Sequence, residues 1–151
     1  MGLAAGHIAL WCGMAGGAEE IVIAENHLPD DDVVRQIVTN RGRGKTHNLI
    51  VVSEGGGKCE HLAARIEEVT GIPTRATILG HIQRGGAPSA MDRMRDSIMG
   101  HMAVETFAAG ETNRVILYEK GDYGHMDIHD ALAMEATYDN KLYEIIKVLA
   151  I

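Results

Sequence analysis

"EIVIAENHLPDDDVVRQIVTNRGRGKTHNLIVVSEGGG", residues 20–57, reads as strand, helix, strand. The run "EIVIAE" (20–25) is a short buried strand. "PDDDVVRQIVTNRGRG" then opens a helix with acidic residues in its first turn, where the helix dipole favours negative charge. Val33, Val34, Ile37 and Val38 make its apolar face. "HNLIVVSEG" (47–55) is a second strand, followed by glycines. The runs "IVIA" and "LIVV" are continuously apolar rather than alternating, as in strands of a parallel sheet buried on both faces.

The same alternation continues outward. "CEHLAARIEEVTG" (59–71) is a helix with Leu62, Ile66 and Val69 on one face and Gly71 as its stop. A third strand is expected over 74–80, where Ala76-Thr77-Ile78-Leu79 runs up to Gly80. Upstream, the small-residue stretch "GLAAGHIALWCGMAGGA" (2–18) reads as a tightly packed helix. Its glycines each cost roughly 1 kcal/mol relative to Ala, a cost usually tolerated for close packing. Strands alternating with helices through short connections predict an α/β fold: a three-layer sandwich around a mainly parallel sheet. Downstream, Ser89 caps a long helix with Met91, Met94, Ile98 and Met102 at steps of three and four. A strand follows at 114–118, with a turn at Gly121. Two helices close the chain, the last carrying Leu142, Ile145, Ile146 and Leu149. No internal repeat, low-complexity tract or linker interrupts the pattern.

The composition narrows the function. The 151 residues suit one domain or part of a larger enzyme, and 46% hydrophobic residues can fill a core. Net charge is −7 without a basic face, which argues against nucleic-acid binding. A few arginines can still set a local positive potential for a small anion. The two cysteines, Cys12 and Cys59, form no CxxC pair and follow no signal-peptide pattern, so reduced thiols and a cytoplasmic location are expected. No apolar run approaches the ~20 residues needed to cross a bilayer.

In open α/β sheets, ligands bind beyond the carboxyl ends of the strands. The three expected strands end at Glu25, at Glu54 and at His81, with Arg84 and Gly85-Gly86 just after. A carboxylate accepts from sugar hydroxyls; an arginine fork and an imidazole bind phosphate. Together Glu54, His81 and Arg84 suit a sugar phosphate. Glu-Gly after a strand is equally the sequence of a solvated turn, and His-x-x-Arg that of an ordinary surface. Three further clusters are weaker. Gly44-Lys45-Thr46 imitates the end of a P-loop, but its first glycine would fall at Thr39, and it lies between helix and strand, the reverse of the required order. His125 and His129 are spaced to face a metal together on a helix, without a third ligand nearby. Cys59 and His61 are no stronger.

"ATILGHIQRGGAPSAMDR" (76–93) resembles the signature of ATP-dependent 6-phosphofructokinases of bacterial type, in which Gly-His-x-Gln-Arg-Gly-Gly precedes a helix bearing Asp-Arg. "MGLAAGHIALWCGMAGGAEEIVIAE" is similar to that family's Met-Gly-Arg helix and Gly-Gly-Ala-Glu turn, "IVVSEGGG" to its strand ending in Glu-Gly, and "DIHDALAMEATYDNKLYEIIKVLAI" to its closing helices. The resemblance covers essentially residues 1–151, as one portion matching the family's C-terminal half. It implies a phosphofructokinase-like second domain whose first strand is missing, leaving a slot or edge that a partner chain, an oligomer or a rearranged sheet would cover.

The resemblance also implies sites. Met1, Gly2, Glu54, Arg75, His81 and Arg84 would bind fructose 6-phosphate, with Arg75 reaching a neighbouring subunit's phosphate. Gly17, Glu19, Arg43, Lys45 and His47 would bind an allosteric nucleotide such as ADP, Glu19 helping to hold Mg²⁺. Two departures stand out: Leu3 replaces the family's arginine, and His7 stands where an acidic residue is usual. The ATP-binding half and its catalytic aspartate have no counterpart here, so catalysis by this chain alone is not expected. The implied reading is a fructose 6-phosphate-binding half of a glycolytic kinase. Alternatives are a non-catalytic or regulatory module for phosphorylated ligands, or a truncated or engineered fragment.

Overall fold

A computed structural model describes residues 5–134 and 137–149. The chain divides into two units, Met1–Arg84 with Ala136–Ile151, and Gly85–Glu135.

The first unit is the expected α/β layer structure, built on a small sheet. Strands β1 (Glu20–Val22) and β2 (Ile50–Val52) pair in parallel, Ile21 opposite Val51 and Val22 opposite Val52. Between them runs helix α2 (Asp30–Gly42), giving the β-α-β unit read from residues 20–57. Alternation along β1 sorts the two faces. Ile21 and Ile23 pack against Ala9 and Leu10 of helix α1 (His7–Ala15) and against Tyr143 and Ile146 of helix α6 (Asn140–Leu149). Val22 packs with Val33, Val34 and Ile37 of α2 and with Leu62 and Ile66 of helix α3 (Cys59–Thr70). The three layers are therefore α1 and α6, the sheet, and α2 and α3.

The small residues of α1 have a direct steric reason. A Cβ on Gly13 would lie 2.3 Å from Cδ1 of Ile21, and one on Gly6 2.4 Å from Cγ2 of Ile23. Only hydrogen at these two positions lets the helix approach the strand this closely.

Three expectations need correction. The strand over 74–80 does not form; residues 71–79 carry no regular structure, and Ile78 and Leu79 are 66% and 57% exposed. Just ahead of it the chain is held in a local turn: Ile72 N–H donates to Thr70 Oγ1, Thr74 Oγ1 donates to Ile72 O, and Pro73 has no N–H to give. Val38 and Val69 are half-exposed rather than buried. On α2 the inward position past Ile37 belongs to Asn40, which is 1% exposed. The last helix buries Tyr143, while Leu149 points outward.

The second unit contains helix α4 (Ala90–Ala108), an antiparallel hairpin of β3 (Arg114–Glu119) and β4 (Asp122–Asp127), and helix α5 (Ile128–Ala133). Ser89 caps α4 as expected, and Asp92 completes a reciprocal capping box: Ser89 Oγ accepts from Asp92 N–H, and Asp92 Oδ2 accepts from Ser89 N–H. The turn at Gly121 joins the hairpin, adding β4 to the strand expected at 114–118. No described residue of this unit is fully buried; Val115, Ile116 and Leu117 on β3 are partly covered, while Met94, Phe107 and Leu132 are exposed.

Candidate functional site

Because β1 and β2 are parallel and in register, their carboxyl ends leave the sheet along one rim. Ser53 N–H still donates to Val22 O at 2.8 Å, so the order extends one residue past β2. Glu54 then opens a 3₁₀ turn (Glu54–Gly56) with its side chain exposed. Glu25, past the end of β1, is committed elsewhere: its two carboxylate oxygens accept the Gly6 N–H at 2.9 and 3.0 Å.

His81 and Arg84 lie in a second 3₁₀ turn (Gly80–Arg84). Residues three apart eclipse in such a turn, so the imidazole and the guanidinium share one face. Both are exposed, as is Arg75 in the irregular segment before them. Among the described residues, no hydrogen bond or ion pair engages the side chains of Glu54, Arg75, His81 or Arg84, and none links them to one another. The turn offers phosphate an unpaired cation and an imidazole, but Glu54 reaches no bonded contact with it. With no third strand, the single sheet edge that was to align Glu54 with His81 and Arg84 is not formed. Met1 and Gly2 lie outside the described residues.

The second cluster is partly assembled. Glu19, 7% exposed, holds Lys45 Nζ at 3.2 Å through Oε1, while its Oε2 accepts the Leu49 N–H. Gly17 sits in the turn between α1 and β1. Arg43, Lys45 and His47 occupy the short loop from α2 to β2, with Arg43 and His47 exposed. Asn40, absent from the sequence reading, supports that loop: its carbonyl accepts from Arg43 and Lys45 N–H, each at 3.1 Å, and its side chain meets Asn48 and Gln36. A polar residue on an otherwise apolar helix face was the available signal. A groove of about 250 Å³ beside Glu19 is lined by Glu20, Leu28, Asp32, Gln36 and Lys147. Its three carboxylates, Glu19 included, repel phosphate.

A magnesium ion fits Glu19 only in part. No group of three or more His, Cys, Asp or Glu that could hold a metal occurs among the described residues. One carboxylate supports Mg²⁺ when phosphate oxygens supply other ligands, and here Lys45 occupies the outer oxygen. The histidine pair is corrected outright: His125 lies on β4, 3.9 Å from Glu111, whereas His129 lies in α5, so they share no helix. His61 pairs with Asp30 at 2.9 Å, and burial and the neighbouring Glu60 push the Cys59 thiol pKa up, away from a metal-ready thiolate. No helix of the described residues is long and apolar enough to cross a membrane.

The phosphofructokinase family model matches residues 1–107. Curated relatives include the ATP-dependent 6-phosphofructokinases of Clostridium botulinum (strain Loch Maree / Type A3) and Clostridium tetani (strain Massachusetts / E88). Each is 48% identical over 150 residues, covering 99% of this chain and 47% of the relative. The chain thus spans about half the length of these relatives. Among solved structures, phosphofructokinase from Saccharomyces cerevisiae superposes with a TM-score of 0.74 at 25% identity, covering 99% of this chain and 22% of that one. The T-state enzyme of Pichia pastoris gives 0.73 at 24% identity, covering 93% and 17%.

Proposed function

This chain belongs to the phosphofructokinase family, and on that premise we propose that it binds fructose 6-phosphate as the sugar-phosphate half of an ATP-dependent 6-phosphofructokinase of glycolysis. One observation carries the reading: His81 and Arg84 stand exposed and unengaged on one face of the turn within the family's Gly-His-x-Gln-Arg-Gly-Gly signature. An arginine fork and an imidazole on one face suit a phosphate. Arg75 adds a second guanidinium, either to this site or to that of a neighbouring copy in a homo-oligomer. Glu54 accepts from sugar hydroxyls, and Met1 and Gly2 complete the set by resemblance.

Glu19, Arg43, Lys45 and His47, with Gly17 at the adjoining turn, form an effector site for ADP or a similar phosphorylated ligand. Glu19 would supply one oxygen to a magnesium ion bound together with the phosphates, which the ion would help neutralise. In the whole enzyme the reaction moves the ATP γ-phosphoryl to the 1-hydroxyl of the sugar. The ATP-binding residues and the catalytic base belong to the half of the family's sequence that these residues do not match, so this chain alone binds without turning over unless a second chain supplies that half.

A second reading, a non-catalytic module for phosphorylated ligands, is favoured by Leu3 in place of a phosphate-handling arginine. Titration calorimetry with fructose 6-phosphate and ADP, beside a coupled assay with ATP and Mg²⁺, separates the two. Sugar-phosphate binding lost in Arg84→Ala supports the clamp; wild-type affinity in that variant removes it. Turnover by the isolated chain contradicts the inactive-half reading.

A further inference from the structure

Ser53 is the last residue held by the sheet before Glu54, and its backbone is engaged on both sides. Its N–H donates to Val22 O at 2.8 Å, and its carbonyl accepts the Gly56 N–H at 2.9 Å. The side chain is not engaged. Ser53 is 4% exposed, and its buried Oγ has no hydrogen-bond partner among the described residues. A buried hydroxyl left unpaired costs about 1–3 kcal/mol. Serine immediately before a helical turn is the residue type that caps the turn through its side chain, yet Ser53 makes no such bond to the Glu54–Gly56 turn.

The turn lies directly over this oxygen. A Cβ on Gly56 would fall 3.1 Å from Ser53 Oγ and 2.6 Å from Val22 O, so the turn is pressed onto the end of β1 with the hydroxyl enclosed beneath it. Enclosed there, the hydroxyl meets no ligand; what covers it is the backbone of the turn itself. Gly55, Gly56 and Gly57 carry no side chain that would resist a small adjustment of the turn toward a cap bond.

We infer that Ser53 is a positioning residue for the sugar-phosphate site: its hydroxyl touches no ligand, but caps the Glu54–Gly56 turn when Glu54 accepts from the sugar, and so fixes the carboxylate at the rim. This rests on the sugar-phosphate reading above. The free chain carries the unpaired hydroxyl as a cost, and binding removes that cost as the turn closes on Ser53. A residue that only packed the rim would lower stability and affinity together; Ser53 separates the two.

The test is calorimetry with fructose 6-phosphate on the full chain, wild type and Ser53→Ala, with thermal unfolding of the free protein and hydrogen exchange of the turn amides in parallel. Ser53→Ala removes the unpaired hydroxyl and with it the cap. Its melting temperature is expected at or above that of wild type, and its affinity at least about fivefold weaker. At saturating fructose 6-phosphate, exchange at residues 55–57 is expected to slow at least about threefold more in wild type than in Ser53→Ala. A Ser53→Ala chain that melts well below wild type, or fails to fold, shows a hydroxyl already bonded in the free protein and overturns the role. Wild-type affinity in Ser53→Ala, or equal protection of the turn in the two proteins at saturation, also overturns it. In each of these cases binding by the wild-type chain leaves the sugar-phosphate reading standing. Wild-type chain that binds no fructose 6-phosphate overturns both.

Discussion

Tyr143 Oη reaches Glu20 Oε1 at 3.5 Å across 123 residues of sequence, joining the last helix to the first strand inside the core of the first unit. Tyr143 is 1% exposed and Glu20 8%. Burial raises the Glu20 pKa above its ordinary 4.5, against the lowering effects of Ile21 N–H, Lys147 and Tyr143. Burial first, then the Glu20 charge, pushes the Tyr143 phenol above its ordinary 10.

The sign of the resulting pH dependence follows. Above pH 4.5 the unfolded chain releases the Glu20 proton while the folded chain retains it, so this group's stabilisation is present below that pH and is lost as pH rises through the folded value. Tyr143 adds a second loss above pH 10. Urea unfolding of wild type and Glu20→Gln at pH 5 and pH 8 checks the first. We expect the variant to show a flatter profile and to equal or exceed wild-type stability at pH 8.

Gly13 and Gly71 are expected to resist alanine for different reasons. At Gly13 the added carbon meets Ile21 at 2.3 Å, an overpacking that costs about 1–3 kcal/mol. At Gly71 nothing lies within 4 Å, but φ is +66°, and the left-handed conformation costs a side chain roughly 1–2 kcal/mol. Equilibrium unfolding measures both, and a Gly13→Ala crystal structure should show α1 displaced from β1, whereas Gly71→Ala should leave the packing intact.

Ser89→Ala removes half of the α4 capping box and is expected to cost about 0.5–2 kcal/mol locally. Hydrogen exchange at the first turn of α4 reports it directly. The Ser89 bonds also hold the Asp92 carboxyl below its ordinary 3.8, so their contribution is present above that pH and fades as acid protonates Asp92. Exchange in the same turn should quicken on acidification, relative to the intrinsic rate, more in wild type than in Ser89→Ala, which keeps only the backbone bond to Asp92.

Asn40→Ala leaves Asn48 and Gln36 without a buried partner and should cost about 1–3 kcal/mol. Because Asn40 also anchors the loop bearing Arg43 and Lys45, ADP affinity should fall in the same variant. Calorimetry at a temperature where the variant is folded checks this.

Periodicity in the sequence was enough for the β-α-β unit, the layers and most helix faces, since Ile21, Val22, Val33 and Ile37 are buried by the same pattern that identifies them. It misjudged 74–80, a β-rich stretch that pairs with no neighbouring strand and leaves Ile78 and Leu79 exposed, because composition does not display whether a partner strand is at hand. It could not anticipate Glu25, whose partner lies 19 residues away and exists only once α1 folds onto β1. Glu19 and Lys45 were placed together by family resemblance, and the ion pair between them is what the structure adds. For Glu54 and the His81–Arg84 turn, resemblance supplies a shared role, while the link between them depended on a strand that did not form.

The absence of any buried side chain between residues 85 and 134 bears on the chain's lifetime in a cell. Phe107 and Leu132 are 73% and 77% exposed, and a unit with so few buried apolar contacts is expected to open locally more readily than a packed core. Chaperones bind such apolar surface, and trypsin-like proteases cut near it at Arg93 or Lys120 when a segment opens. Limited digestion is therefore expected to start in this unit, and a ligand gripping the first unit would protect that unit well before it protected this one.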